Sequence, residues 1–488
     1  GYELRAAYID LTPVGGPAQV AIDTELMEHT IAVEQSITTG VKTLDIVLVD
    51  EFGNKHNTSV DVEVQPRQIT DDADFDWDEA RIYFMLTDRF SDGDNPDGMT
   101  SELSESYHGG DFQGIINNLD YLDELGINTI WITPIVDNID EGMDMANGDK
   151  RYGYHGYWGQ DFTKIDEHLG DVETLKELVD SAHDRGMKIM VDVVLNHAGY
   201  GMNNAEQFDG MIRDNPVAGD DIIGELSGLP DFRTEDPAVR EQVIQWQIDW
   251  ITELQEFTTD NDNTIDYFRV DTVKHVDNTT WNAFKNELTK IKPDFKMIGE
   301  WYGASVNNTG DQLRSGRMDS LLDFNFKGQA ERFINGNIAE IEAELATRNG
   351  LIDNTAMMGQ FLSSHDEDGF LVTRAAGNEG LFKVAAALQM TAKGQPVIYY
   401  GEELGQSGLM NDESVGRYYD ENRYNLDWSI ANDDNDMLMH YKKLLNIRAD
   451  YSDVFSKGTR QHVAGTNETG YSVFARTYGN EQIFVGLN

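Results

Sequence analysis

Three carboxylates in this chain stand where carboxylates can do acid–base work. Asp271 ends the short run Phe268-Arg269-Val270, Glu300 ends Met297-Ile298-Gly299, and Asp366 follows Phe361-Leu362-Ser363-Ser364-His365. Cleaving a glycosidic bond takes two carboxyl groups, one on each side of the bond, and a configuration-retaining site holds them ~5–5.5 Å apart. The ends of neighbouring strands can supply that separation. A single Asp at a strand end is more often a helix cap or an ion-pair partner; three such residues with these neighbours are a stronger pattern. A second chemistry is written in Asp92-Gly93-Asp94-Asn95-Pro96-Asp97-Gly98, which spaces carboxylates through a Gly-containing loop. Hard cations such as Ca²⁺ take six to eight oxygens from loops of this kind.

Those strand ends need a scaffold. From about residue 78, short apolar runs alternate with amphipathic segments. The expected strands are Ile82 to Leu86, Thr129 to Thr133, Ile189 to Leu195, Tyr267 to Asp271, Met297 to Glu300, Ser320 to Phe324, Gln360 to Ser363 and Pro396 to Tyr400. Between them, one helical face carries Val172, Leu175, Leu178, Val179 and Ala182 and stops at Gly186. Eight strand–helix units in a row predict an α/β fold, a parallel (β/α)₈ barrel, over residues 75–455. An open doubly wound sheet is the alternative, weakened because no Gly-rich phosphate loop opens the first unit. Residues 198–232 are Gly- and Asn-rich and interrupt the rhythm after the third strand, so they read as an inserted subdomain. Residues 1–70 alternate apolar and polar positions around a turn at Asp50-Glu51-Phe52-Gly53-Asn54, which predicts a hairpin within a β-sandwich. Asp71–Asp74 reads as a linker, and residues 456–488 read as the start of a C-terminal β domain.

Bulk properties exclude some functions. The chain has 488 residues, no cysteine, and a formal net charge of -51. Without cysteine there is no thiol catalysis or thiolate metal site. A surface this acidic repels phosphate backbones, so no nucleic-acid partner is expected; it reads as a solvated surface suited to salt or alkaline conditions. No run of apolar residues is long enough to span a membrane. The start at Gly1-Tyr2-Glu3 reads as processed or trimmed. The end at Phe484–Asn488 reads as mid-strand, so further C-terminal sequence is expected.

The residues around the carboxylates resemble the α-amylase family, glycoside hydrolase family 13, over roughly residues 80 to 488. Asp192-Val193-Val194-Leu195-Asn196-His197 resembles the family's first signature. The second is matched by Phe268-Arg269-Val270-Asp271-Thr272-Val273-Lys274-His275, the third by Gly299-Glu300-Trp301-Tyr302, and the fourth by Phe361 to Asp366. Gly126 to Pro134, Leu229-Pro230-Asp231 and Gly394 to Glu403 match further family segments in the same order. The resemblance implies Asp271 as nucleophile, Glu300 as acid/base and Asp366 as the third carboxylate, with Arg269 keeping Asp271 ionised. It also implies that His197 and His365 hydrogen-bond a sugar, that His155 and Tyr157 belong to a sugar platform, and that Lys274, His275, Tyr302 and Arg423 line the substrate. Trp158 suits a core position as well as a sugar contact. For calcium, Gly109, Gly110 and Asp111 would complete the site of Asp92, Asp94 and Asp97. A second ion would take the Asn196 side chain, Asp231 and the His275 carbonyl.

The activity implied is secreted, endo-acting, retaining hydrolysis of α-1,4 bonds in starch-like glucans by a monomer. One alternative on the same scaffold is a cyclodextrin glucanotransferase or a maltogenic or neopullulanase-type amylase; a remoter one is a non-catalytic glucan-binding homologue. Counting four positions back from Asp231 places Ser227 where glucanotransferases carry a large central aromatic, which favours hydrolysis over cyclisation.

Overall fold

The computed structural model of the chain describes residues 4–24, 31, 33, 37, 40–64, 75–93, 105–144, 150–256, 263–412, 417–418 and 421–488. Eight strands, Ile82–Met85, Thr129–Ile132, Lys188–Val193, Tyr267–Val270, Lys296–Gly299, Ser320–Asp323, Met357–Phe361 and Gln395–Tyr399, close a parallel barrel in chain order. Nearly every strand residue is buried; only Lys188 and Lys296, at strand starts, are half-buried. A parallel sheet filled inside and covered by helices outside demands that continuous burial. The covering helices start at side-chain caps. Asp171 accepts from the Thr174 amide (2.8 Å) to open Val172–His183, and Asp277 accepts from Thr279 and Thr280 to open Asn278–Ile291. Val172–His183 buries Leu175, Leu178, Val179 and Ala182, the face its sequence spacing predicts.

Two excursions rise from the C-terminal ends of the strands. One follows the third strand, where the insertion is expected. It holds the short turns Met202–Asn204 and Glu206–Phe208, and is pinned to the barrel's helical layer by Phe162, Phe208, Phe232 and Trp246, whose ring centroids lie 5.0–6.0 Å apart. The other follows the second strand and was not legible as an element. There Val136–Asn138 pairs antiparallel with Gly159–Ile165 and carries the Tyr154–Trp158 segment between them.

The N-terminal region forms a four-stranded antiparallel sheet ordered Val20–Ile22, Leu4–Ile9, Gly40–Asp50, Lys55–Val64. Its own small core is Ile9, Leu11, Val14, Val20 and Leu44. The expected hairpin joins the last two strands; Asp50 shapes its turn by accepting from the Phe52 and Asn54 amides at 3.0 and 2.8 Å. A second layer of the expected sandwich is not found among the described residues, and the expected linker Asp71–Asp74 lies outside them. At the other end, Thr459–Ala464, Ser472–Tyr478 and Glu481–Leu487 make a three-stranded antiparallel sheet. A buried pair, Arg460 with Glu342 at 2.9 Å, ties it to the barrel helix Ile338–Leu351. Among the described residues no helix is long and apolar enough to cross a membrane.

Candidate active site

Strand register assembles the site. Asp192 on strand three and Arg269 on strand four are direct neighbours across the parallel ladder. Asp271 lies two residues beyond Arg269 on the same face, because side chains alternate along a strand. Val270 pairs with Gly299, so Glu300 leaves the next strand beside Asp271. One buried guanidinium then joins three carboxylates. Arg269 Nη1 donates to Asp271 Oδ1 at 2.6 Å and to both oxygens of Asp192 at 3.0 Å, while Nη2 lies 2.9 Å from Glu300 Oε2. The Thr272 amide also donates to Glu300 Oε2 (3.2 Å).

Burial works against the Arg269 charge, but Asp192, Glu300 and Asp271 together hold it on. The same burial pushes the acids up, Asp271 to about 6 and Glu300 to about 8, with Arg269 opposing in both cases. The nearby negative charges of Asp271 and Asp366 add to the rise at Glu300. This corrects the simpler expectation for Asp271: its arginine does pull it down, yet desolvation and the Asp192 charge outweigh that pull. The ranking is what matters chemically. Glu300 holds its proton more tightly than Asp271, the arrangement that divides two carboxyls into an acid and an ionised partner.

Asp366 stands across the opening with its side chain 46% exposed. Its pKa is lowered: burial pushes up, and His365, Arg423 and Arg269 outweigh it. Arg423 Nη2 donates to Asp366 Oδ1 at 3.0 Å, and its Nε donates to the His365 carbonyl at 2.9 Å. Arg423 is therefore a buried brace for the Asp366 loop. Behind that loop, Ser363 Oγ donates to Glu402 and accepts from the Phe370 amide, fixing both ends of the turn.

The Tyr154–Trp158 segment borders the same carboxylates. Gly156, at φ 86°, makes a turn that a side chain could not enter, since a Cβ there would lie 2.6 Å from the Pro134 carbonyl oxygen. That turn sets Tyr157 parallel to the His365 ring, 12° apart at 5.3 Å, and sends its hydroxyl 2.7 Å to Asp192 Oδ2. His155 is buried and accepts from the Tyr157 amide at Nδ1. Trp158 is a core residue, packed with Ile139 and Leu229. His197 contacts the same segment. Its ring nitrogens meet the Tyr157 carbonyl and the Asn196 side-chain amide, both at 3.2 Å. Burial pushes His197 down to about 4 and His365 to about 3, leaving both rings neutral. Tyr302 stands 70% exposed beside Glu300, its ring 5.3 Å from Phe324. Lys274 pairs with Asp221 at 3.1 Å, and His275 Nδ1 donates to the Asp221 carbonyl oxygen at 3.0 Å. An open pocket beside Tyr302 is bounded by Glu300, Tyr302, Phe324, Phe361, Ser364 and Asp366, among others.

The candidate calcium sites are described unequally. Asp94 and Asp97 lie outside the described residues. Asp92 bridges to Gly110, and Asp111 Oδ1 caps the helix Phe112–Asn117 by accepting from Gly114, with Gly93 a second donor. For the second site, the His197–Asp231 bridge and the Phe232 amide's bond to the Asn196 carbonyl bring Asn196 and Asp231 together. Asp231 Oδ1 is buried without a hydrogen-bond partner, and burial pushes this acid up to about 7, features that fit a cation. Its other oxygen accepts from Arg213 at 2.6 Å, a guanidinium not foreseen from sequence. Elsewhere, Asp76, Asp78 and Glu79 form a three-carboxylate cluster able to hold a metal, and Lys457 reaches Asp76 at 2.7 Å.

Asp192 was the main residue missed. A lone acid inside the apolar run Ile189-Met190-Val191-Asp192-Val193 was the available signal, because a buried charge needs a partner.

The pattern of the alpha-amylase catalytic domain matches residues 84–216 and 222–456. A neopullulanase from Thermoactinomyces vulgaris is 30% identical over 84% of this chain and 69% of its own length. A cyclomaltodextrinase from Geobacillus thermopakistaniensis is 28% identical over 85% and 69%. Among solved structures, an Anoxybacillus α-amylase superposes with a TM-score of 0.71 at 29% identity, covering 85% of this chain and 87% of that one. The chain belongs to the α-amylase family, glycoside hydrolase family 13.

Proposed function

We propose that this protein is a retaining α-glucan hydrolase of the neopullulanase and cyclomaltodextrinase kind, cutting α-1,4-glucosidic bonds in short or cyclic maltodextrins. The similarity to the two curated relatives favours this over the endo-acting α-amylase expected first from sequence. The observation that carries the mechanism is one guanidinium bridging Asp271 and Glu300 at 2.6 and 2.9 Å. Asp271 and Glu300 also share a side-chain hydrogen bond, which puts them too close for the ~6.5–9.5 Å gap that an inverting enzyme fills with water. Asp271 attacks the anomeric carbon while Glu300 protonates the departing oxygen. Water, deprotonated by Glu300, then releases the sugar from Asp271. Asp366 is positioned to hold sugar hydroxyls, and its charge adds to the burial and the Asp271 charge that keep Glu300 protonated until it donates to the leaving oxygen.

The pH profile follows with a defined sign. Activity needs Asp271 ionised, so it falls as pH drops through about 6. It needs Glu300 protonated, so it falls again as pH rises through about 8. A bell-shaped kcat/KM between those limits is expected; a profile flat across both would contradict the assignment.

Product analysis tests the substrate. Cyclodextrins and pullulan should be opened more readily than starch, with linear products. Ser227 and Gly228 are exposed and offer no surface for a glucan to wrap around; the nearby ring is Tyr200, whose hydroxyl donates to the Ser227 carbonyl at 2.9 Å. Cyclodextrins as a major early product from starch would instead mark a glucanotransferase.

Calcium belongs to the same proposal. Asn196, Asp231 and His275 would hold an ion that cross-links the inserted stretch to the barrel. An ion bound only by the folded state stabilises it, by about 2.7 kcal/mol at a hundredfold excess over Kd. Chelation should lower Tm and calcium should restore it, while Asp231→Asn should lose the calcium-dependent rise. An unchanged melting curve after verified metal removal would count against the site.

A further inference from the structure

Glu300, read above as the acid that protonates the leaving oxygen, marks the leaving-group side of the cleft, and the present inference rests on that reading. The turn beside it is bound to Glu300 directly: the Thr272 amide donates to its carboxylate and the Val273 amide to its carbonyl oxygen at 3.0 Å. Lys274 is the next residue, with its side chain 37% exposed, so its ammonium would be free to meet a departing sugar chain. It is instead engaged by Asp221 of the inserted stretch, which also receives the His275 ring on its carbonyl oxygen. One residue thus grips two consecutive positions of the turn, by side chain and by backbone.

The tip that carries Asp221 is self-supporting. The Val217 amide donates to the Ile223 carbonyl (2.8 Å), and the Asp220 amide to that of Val217 (3.1 Å). Asp220 Oδ1 accepts from the Ile222 and Ile223 amides at 2.9 and 3.0 Å. Gly224 closes against it so tightly that a Cβ would lie 2.4 Å from the Asp220 carbonyl oxygen. The family pattern breaks off at residue 216 and resumes at 222, so Asp221 falls in a stretch the pattern does not describe.

We propose that Asp221 is a specificity-determining residue: it holds Lys274 and clips the 217–224 tip across the leaving-group side, so that glucans extending well past the cleavage point bind weakly. Both partners are substantially exposed, and exposed ion pairs add little to stability, so the latch can be removed without unfolding the protein.

The test uses the full chain with maltotriose and maltoheptaose. In Asp221→Asn, KM for maltoheptaose should fall by about threefold to tenfold, what one regained hydrogen bond supplies, with kcat unchanged. Maltotriose kinetics should stay as in the wild type. Asp221→Glu should keep the wild-type length dependence, and adding Lys274→Met to Asp221→Asn should abolish the gain. If Asp221→Asn leaves the length dependence unchanged, or shifts both substrates equally, the latch is overturned while the hydrolase reading stands. A wild type inactive on both oligosaccharides would overturn the hydrolase reading and the latch with it.

Discussion

Asp271→Asn and Glu300→Gln are each expected to remove nearly all glucan hydrolysis while leaving the fold intact. Both replacements keep shape and volume. Asp271→Asn takes one negative charge from the carboxyls around Arg269, whereas Glu300→Gln replaces a group that rests protonated, so in either variant two of the three carboxyls still face that guanidinium. Losing general acid help costs ~10²–10⁴-fold, and losing the attacking group costs more because no covalent intermediate forms. The two variants should separate by substrate. Glu300→Gln should recover its first step on a glycosyl fluoride, whose leaving group needs no proton, whereas Asp271→Asn should recover nothing. Steady-state rates on both substrates, with circular dichroism to confirm folding, check this. Wild-type-like turnover in either variant would remove that residue from the mechanism.

Arg269→Met should be damaging in a different way. The arginine is buried and contacts Asp192, Asp271 and Glu300. Without it, three acids share a buried space with no cation. Breaking a buried ion pair from one side costs about 3–5 kcal/mol. The loss has a pH signature. The unpaired carboxyls take folded-state pKa values above their unfolded ones, so they destabilise the fold at pH above the unfolded values. The penalty shrinks as pH falls and the acids become protonated in both states. Denaturant unfolding at neutral and mildly acidic pH should show the deficit narrowing on acidification, together with loss of catalysis at every pH. Arg269→Lys should not rescue activity, because one ammonium cannot reproduce the two-armed contact with Asp271 and Glu300. A variant as stable as the wild type at neutral pH would contradict the account of this network.

Much of this site is legible in sequence because barrel chemistry sits at strand ends, and strand ends are short apolar runs that stop at a polar residue. Asp271 and Glu300 are found that way. The seventh strand shows where the reading weakens. It runs Met357–Phe361, three residues earlier at its start than the expected Gln360 to Ser363. Gly359 and Gln360 interrupt its apolar run. Gly359 is there because a Cβ would lie 2.6 Å from Ile298 Cδ1, and Ser363 belongs to the turn braced by Glu402. Such close approaches depend on the neighbouring strand and leave no periodic trace. Partnerships between distant segments were likewise hidden. Nothing in the sequence shows that the Tyr157 carbonyl and the Asn196 side chain meet the His197 ring, or that Arg423 donates to Asp366. Arg213 and Asp221 lie in the inserted stretch, where no regular element fixes which way a side chain faces.

The central claim is that Asp271 becomes covalently bonded to the sugar. The direct measurement is mass spectrometry of the protein trapped with a fluorinated glucosyl fluoride, which forms the glycosyl intermediate quickly and releases it slowly. The account predicts one added sugar, mapped after proteolysis to the peptide containing Asp271 and absent in Asp271→Asn. A label on Glu300 or Asp366, or no label alongside products of inverted anomeric configuration, would contradict it.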